Sequence, residues 1–131
     1  VPHVNEELVR EGYARFATGD VEALKSQYFA PDIVWHFPGH NPFSGDVDGV
    51  DAVLGWLGRS VQATGGTFRI DIHDVVANDE HAVALVRATA QRDGKSLDDN
   101  SVQVFHIADG KVTEVWTYPT DQEAADAFWS D

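Results

Sequence analysis

The 131-residue sequence contains no cysteine and no methionine, and only nine of its residues are Lys or Arg. The absence of cysteine excludes disulfides, thiolate nucleophiles and thiolate metal sites together, and it fits a reducing compartment. Nine cations stand against 22 Asp and Glu, for a formal net charge of −13. Nucleic-acid binding draws its affinity from cations on phosphates, and this chain has too few, too widely scattered, to supply that field. Adsorption to an anionic membrane is excluded on the same ground. No apolar run approaches the roughly 18 residues of a membrane span. The first residues, VPHVNEELVREG, show no basic-then-apolar leader pattern. The expectation is a cytoplasmic protein with neither nucleic-acid nor membrane partners.

What is present is the composition of a globular protein, 43% hydrophobic and 24% charged. A chain of this length builds one core, so residues 1–131 are expected to form a single domain. The acids are dispersed through turns, caps and helix faces rather than gathered in a block. Such a distribution reads as a solvated, self-repelling coat.

Asn5 is a candidate N-cap, with Glu6 and Glu7 in the first turn complementing the helix dipole. Leu8, Val9, Gly12, Tyr13, Phe16 and Ala17 then recur at helical spacing up to Gly19. Asp20 caps a short second helix, VEALKSQYF, which stops before Pro31. DIVWHFP is β-branched and aromatic and predicts a strand ending at Pro38. GHNPFSGDVDG is rich in turn residues and predicts a loop. A third helix is expected over Val50–Ala63, closed by Gly65 and Gly66. Four antiparallel strands should follow: one carrying Phe68, Ile70 and Ile72 in strict alternation, then HAVALVRATAQR, SVQVFHI and KVTEVWTYP. Asp93-Gly94 and Asp109-Gly110 are hairpin turns, and the last ten residues before the C-terminus, DQEAADAFWS, close the chain with helix. Helices segregated from an antiparallel sheet define an α+β protein, and a twisted sheet curling around helices leaves a cavity suited to a small ligand.

The Tyr-containing first helix, the ATGDVEAL segment, YFAPDIVWHFPG and ADGKVTEVWTYP resemble, in order and over essentially the whole chain, the SnoaL-like and ketosteroid-isomerase-like families of the nuclear-transport-factor-two-like superfamily. The resemblance implies a cone-shaped α+β barrel, a curved antiparallel sheet wrapped around three N-terminal helices. It also implies an apolar pocket, no cofactor, and a homodimer packed through the sheet. Members include isomerases, polyketide cyclases, dehydratases, epoxide hydrolases and non-catalytic proteins, so the fold alone does not select a chemistry. Ketosteroid isomerases pair an Asp base with a Tyr and a protonated Asp. Those positions fall here on Phe37, Gly12 and Gln103, and Tyr13 lies one residue from the second. The His and Asp of SnoaL-type cyclases fall on Gln103 and Thr117. Epoxide hydrolases of the superfamily use an Asp–Arg–Asp set whose second Asp also falls on Thr117, with Arg87 near their Arg and first Asp.

The residues themselves offer two catalytic candidates. Arg87 sits in an apolar strand, where a cation needs a partner: a bound oxyanion, or an acid on the outer face of the sheet. His36 can act as a general base at the pocket mouth if a bulge near Pro38 turns it inward. Strict alternation instead puts Trp35 and Phe37 on the cavity side and His36 opposite them. Tyr13, Trp35, Phe37, Trp56 and Phe105 are expected to wall the pocket, with Gln103 and Thr117 as its polar groups. His36 and His40 flank Pro38-Gly39, which breaks any helix, so no metal site is expected. Asp98 and Asp99 can cap the entry to their strand or reach Arg87 across the hairpin. Three functions follow: a cofactor-independent enzyme acting on a small, apolar, oxygenated metabolite, a dimeric binding protein with the same pocket, or a pure interaction module whose cavity is collapsed and filled by the aromatics.

Overall fold

The computed structural model describes residues 3–130. Helix α1 (Val4–Thr18) ends at Gly19, which adopts a left-handed φ of 75° and lets the last turn close through Gly19 N–H to Phe16 O and Asp20 N–H to Arg15 O. Its N-cap is His3 rather than Asn5: the His3 ring nitrogen accepts from the Asn5 N–H at 3.0 Å. Asn5 lies inside the helix and is buried. Its Nδ2 donates to the backbone oxygens of Asn78 and Asp79, tying α1 to a turn in the second half of the chain.

The second helix is shorter than expected. One α-turn, α2 (Val21–Ala23), passes into a π-turn at Leu24–Tyr28 that turns both Leu24 and Tyr28 into the core. The chain is already extended at Phe29, where β1 (Phe29–Phe37) begins. The segment expected to be entirely loop contains a further short strand, β2 (Gly45–Asp48), paired antiparallel with β1. Its Gly and Asp content hides it, because β-propensity cannot register pairing supplied by a neighbouring strand. Helix α3 (Val50–Ala63) follows, then β3 (Arg69–Ala77), β4 (His81–Arg92), β5 (Lys95–Ala108), β6 (Lys111–Pro119) and helix α4 (Gln122–Trp129).

The α+β class holds, with six strands where five were expected among the described residues. Their order in one curved, unclosed sheet is β2-β1-β6-β5-β4-β3. All neighbours are antiparallel except β1 and β6, and register shifts interrupt β1/β6, β3/β4 and β5/β6. Such bulges bend strands and increase local twist. Helix α1 packs on β3 and β4, α3 on β1, and α4 on β5. Ile33, Val53, Val75, Val115 and Leu24 are sealed between helices and sheet. Each such side chain contributes roughly 1.5–3 kcal/mol by leaving water. Alternation on β4 is strict: Ala82, Ala84 and Val86 face the helices, while Leu85 and Arg87 face away. Among the described residues no helix is long and apolar enough to cross a membrane.

Candidate functional site

The sheet does not press flat on the helices. Between them lies a cavity of about 150 Å³ lined by side chains of α1, α3, α4 and the inner face of the sheet. Tyr13, Trp35, Phe37, Trp56, Gln103, Phe105 and Thr117 all lie along its wall. Their convergence follows from periodicity. Trp35 and Phe37 share one face of β1, Gln103 and Phe105 one face of β5, and Thr117 is directly opposite Gln103 on β6.

Much of the wall is aromatic and continuous. Trp35 stacks on Phe37 at 5.3 Å, Phe37 stacks on Trp56, and Trp56 meets Phe43 edge-on at 5.6 Å. Phe43 contacts Trp129, which contacts Phe68, which meets Phe16. This belt presents flat faces and edges, a surface matched to a ring-containing apolar molecule.

One polar chain crosses the apolar wall. The Tyr13 hydroxyl donates to Gln103 Oε1, Gln103 Nε2 donates to Thr117 Oγ1 at 3.3 Å, and Trp35 Nε1 donates to the same hydroxyl at 3.1 Å. Burial pushes the Tyr13 phenol well above its ordinary range, because the phenolate would be stranded in an apolar cavity. Tyr13 therefore stays a neutral O–H donor. Gln103 and Thr117 hydrogen-bond without titrating near neutral pH. This set can hold and polarise a ligand oxygen.

At the α4 end the cavity carries residues that hydropathy does not mark. The loop of residues 39–44 is latched to α4 through Asp126, whose Oδ1 accepts from Asn41 Nδ2 at 2.7 Å, His40 N–H at 2.9 Å and Gln122 Nε2 at 3.2 Å. The Asn41 hydrogen bond, followed by that of the His40 backbone, holds the Asp126 carboxyl below its usual range. Gly39 makes the close approach possible: at φ 88°, a Cβ there would lie 2.2 Å from both Asp126 Oδ1 and Gln122 Nε2. Asp99 also lines the cavity. Its place on the cavity face is missed when β5 is started at Ser101, yet it shares strand parity with Gln103, and that parity is the signal that finds it.

The two catalytic candidates lie elsewhere. Arg87 faces outward from β4 and makes a two-pronged pair with Asp98, Nε to Oδ1 at 2.8 Å and Nη2 to Oδ2 at 2.7 Å. The two side chains are 57% and 59% exposed. Of the two partners open to Arg87, the outer-face acid is the one it has. His36 obeys the strict alternation of β1 with no inward bulge and points away from the cavity. It is held between Asp46 at 2.7 Å and Glu114 at 2.6 Å and stacks on Trp116. Those carboxylates, Glu114 foremost, raise its pKa. Neither side chain lines the cavity, so His36 is not placed as a base, nor Arg87 as an oxyanion partner, for a ligand held there. Among the described residues no group of three His, Cys, Asp or Glu is placed to hold a metal ion.

Comparison with known proteins finds a match to the SnoaL-like domain over residues 9–115. The uncharacterised protein Rv0034 of Mycobacterium tuberculosis is 36% identical over 125 residues, covering 95% of each chain. Among solved structures, Bal32a from a soil-derived mobile gene cassette superposes with a TM-score of 0.92 at 36% identity, covering 96% of both chains. A protein with a cystatin-like fold from Xanthomonas campestris superposes with a TM-score of 0.88 at 32% identity, covering 95% of this chain and 97% of its own.

Proposed function

The chain belongs to the SnoaL-like domain family, and from that premise we propose that it binds a small, ring-containing, mainly apolar molecule bearing at least one oxygen. One observation carries the proposal: an aromatic-walled cavity crossed by the hydrogen-bonded chain Tyr13–Gln103–Thr117. The aromatic belt supplies the affinity and the polar chain fixes orientation, the division of labour usual in small-molecule sites. The probe pair 4-ethylphenol and ethylbenzene tests it by isothermal titration. The phenol is expected to bind saturably and several-fold more tightly than the hydrocarbon, and Gln103→Leu to abolish the difference. No saturable binding of either compound, or equal binding of both, would overturn it.

A catalytic reading is favoured by Tyr13. A phenol kept neutral by an apolar site can donate to an oxygen that gains charge as bonds rearrange. This supports cofactor-independent isomerisation, cyclisation, dehydration or epoxide opening on such a ligand. Incubation of the protein with cyclic ketones and epoxides, followed by mass and proton-exchange analysis, separates the two readings. A ligand returned unchanged, with no solvent deuterium incorporated, means binding alone.

We also propose that a second copy of the chain covers the outer face of the sheet. Two registered rows cross that face, Val76–Val83–Val104–Trp116 and Leu85–Val102–Tyr118. Val76, Leu85 and Tyr118 are 57%, 40% and 53% exposed. A contiguous apolar patch of this kind marks an interface, and at a charge of −13 a partner patch of the same composition is neutral enough to approach. Sedimentation equilibrium is expected to give a dimer and Leu85→Asp a monomer; a wild-type monomer at tens of micromolar would sink this reading.

A further inference from the structure

We infer that the α4 end of the cavity is a recognition site for a protonated amine, with Asp99 as its counter-ion; this rests on the pocket reading above and extends it to a ligand class. Among the described residues Asp99 is the only Asp or Glu lining the cavity, and no Lys, Arg or His joins it there. Its neighbour Asp98 is neutralised by Arg87 on the opposite face. Among the described residues the donors to Asp99 are neutral: Ser101 Oγ at 2.7 Å on one oxygen and Thr120 N–H at 3.2 Å on the other. Among the described residues no cationic nitrogen lies within 4.0 Å of it. A carboxylate has about four lone-pair sites, so these two bonds leave capacity for a further donor. A cation arriving from solvent would supply the charge that the wall lacks.

The surroundings suit an ammonium group. Leu97, the preceding inward residue of β5, packs in one cluster with Trp129 and Phe128, against which Phe43 and Phe68 lie. An aromatic face stabilises a cation through its quadrupole, and the Phe43 ring already does so for Arg59, whose guanidinium lies 5.9 Å from the ring centroid. An anionic ligand meets the opposite conditions at every stage, because a surface of net charge −13 repels it on approach and Asp99 repels it inside.

Position separates this role from acid–base work at the polar chain. Asp99 and Gln103 are four residues apart on one strand, which sets their Cα atoms roughly 13 Å apart. A carboxylate so placed does not reach the carbon adjacent to an oxygen held by Tyr13 and Gln103. It reaches the far end of the ligand. The implied class is a slender arylalkylamine with a hydrogen-bonding oxygen at one end and an ammonium at the other.

Tyramine, 4-ethylphenol and 3-(4-hydroxyphenyl)propionate share a phenol ring and differ in the charge at the other end. Titrated calorimetrically into the wild-type protein at low salt, tyramine is expected to bind about tenfold more tightly than 4-ethylphenol, the difference between a charge-assisted and an absent hydrogen bond. The propionate should bind more weakly than both. Asp99→Asn, whose Oδ1 still accepts from Ser101 or Thr120, is expected to erase the advantage of tyramine over 4-ethylphenol. Tyramine binding no better than 4-ethylphenol in the wild type, or an advantage that persists in Asp99→Asn, overturns the inference. If that variant does not fold, the wild-type comparison decides alone. Binding of 4-ethylphenol without an amine preference defeats only this inference; absence of binding by all three defeats the pocket reading as well.

Discussion

Tyr13 and Gln103 form the central link of the cavity's polar chain, and removing them singly and together measures what that link is worth. Tyr13→Phe deletes a donor and leaves Gln103 Oε1 without the partner it has in the fold. The net value of a neutral hydrogen bond is about 0.5–1.5 kcal/mol, and an orphaned buried acceptor costs about 1–3 kcal/mol. Water entering the cavity can relieve part of the second cost, so Tyr13→Phe is expected to lose about 1–2 kcal/mol. Gln103→Leu strands the Tyr13 hydroxyl instead, while Thr117 Oγ1 keeps its bond from Trp35; a loss of similar size, about 1–3 kcal/mol, follows. The double variant removes both polar partners and closes the gap with apolar atoms, so it should be less destabilised than the sum of the singles by about 1–2 kcal/mol. Urea unfolding followed by tryptophan fluorescence measures all four free energies. Losses that add to within about 0.5 kcal/mol would show that the two side chains are not coupled, and the polar chain would cease to exist as an energetic unit.

The same side chain has an alkaline signature. Burial raises the Tyr13 pKa above its unfolded value near 10. At pH above that value the unfolded chain releases a proton that the folded chain retains, so stability falls as pH rises. Tyr13→Phe removes this contribution. The wild-type stability should therefore decline more steeply than that of the variant above pH 10, and parallel curves would mean that the phenol is not desolvated.

Gly39→Ala should break the latch over the cavity, since the new methyl lands on Asp126 and Gln122 at a left-handed φ of 88°; the backbone term alone costs about 1–2 kcal/mol, and limited proteolysis should newly cut residues 39–44. His36 has its pKa raised by Glu114 and Asp46, so its contribution is complete below the unfolded value near 6.5 and is lost as pH rises through the folded value. Urea unfolding at stepped pH should show wild-type stability falling above neutrality relative to His36→Gln, and equal profiles would refute the pairing. Arg87→Ala should leave the affinity for 4-ethylphenol within about twofold, because an exposed ion pair on the far side of the sheet contributes little; a loss of tenfold or more by calorimetry would put Arg87 back at the ligand.

How far the fold and the site are legible in the sequence depends on the kind of information each residue carries. Periodicity places side chains on faces. The alternations Trp35/Phe37 and Gln103/Phe105, with Thr117 opposite Gln103, therefore pick out side chains that the structure brings together around the cavity. Periodicity says nothing of pairing supplied from elsewhere, and β2 is invisible for that reason: Val47 is its one apolar residue, and the strand exists because β1 offers an edge. The N-cap shows a third limit. Asn5 has the side chain of a cap, but the carbonyls of Asn78 and Asp79 arrive across the fold to take its donor, and His3 caps in its place.

The pair Asp98-Asp99 shows where more was legible than hydropathy discloses. Lys95–Asn100 is too polar to look like a strand. The turn before it nevertheless decides the matter, because Asp93 and Gly94 both take positive φ, 49° and 78°, the geometry of a two-residue hairpin turn. Such a turn sets the register at Arg92↔Lys95, and each antiparallel step then adds one residue on each side, through Gln91↔Ser96 and Thr89↔Asp98 to Arg87↔Asn100. Once the ladder is set, a period of two leaves no freedom. Asp99 must share the face of Gln103, and Asp98 that of Arg87. One acid is thereby committed to a surface ion pair and the other to the cavity wall, although they are adjacent and identical. In a chain with 22 acidic residues, register, not composition, makes one of them part of the site.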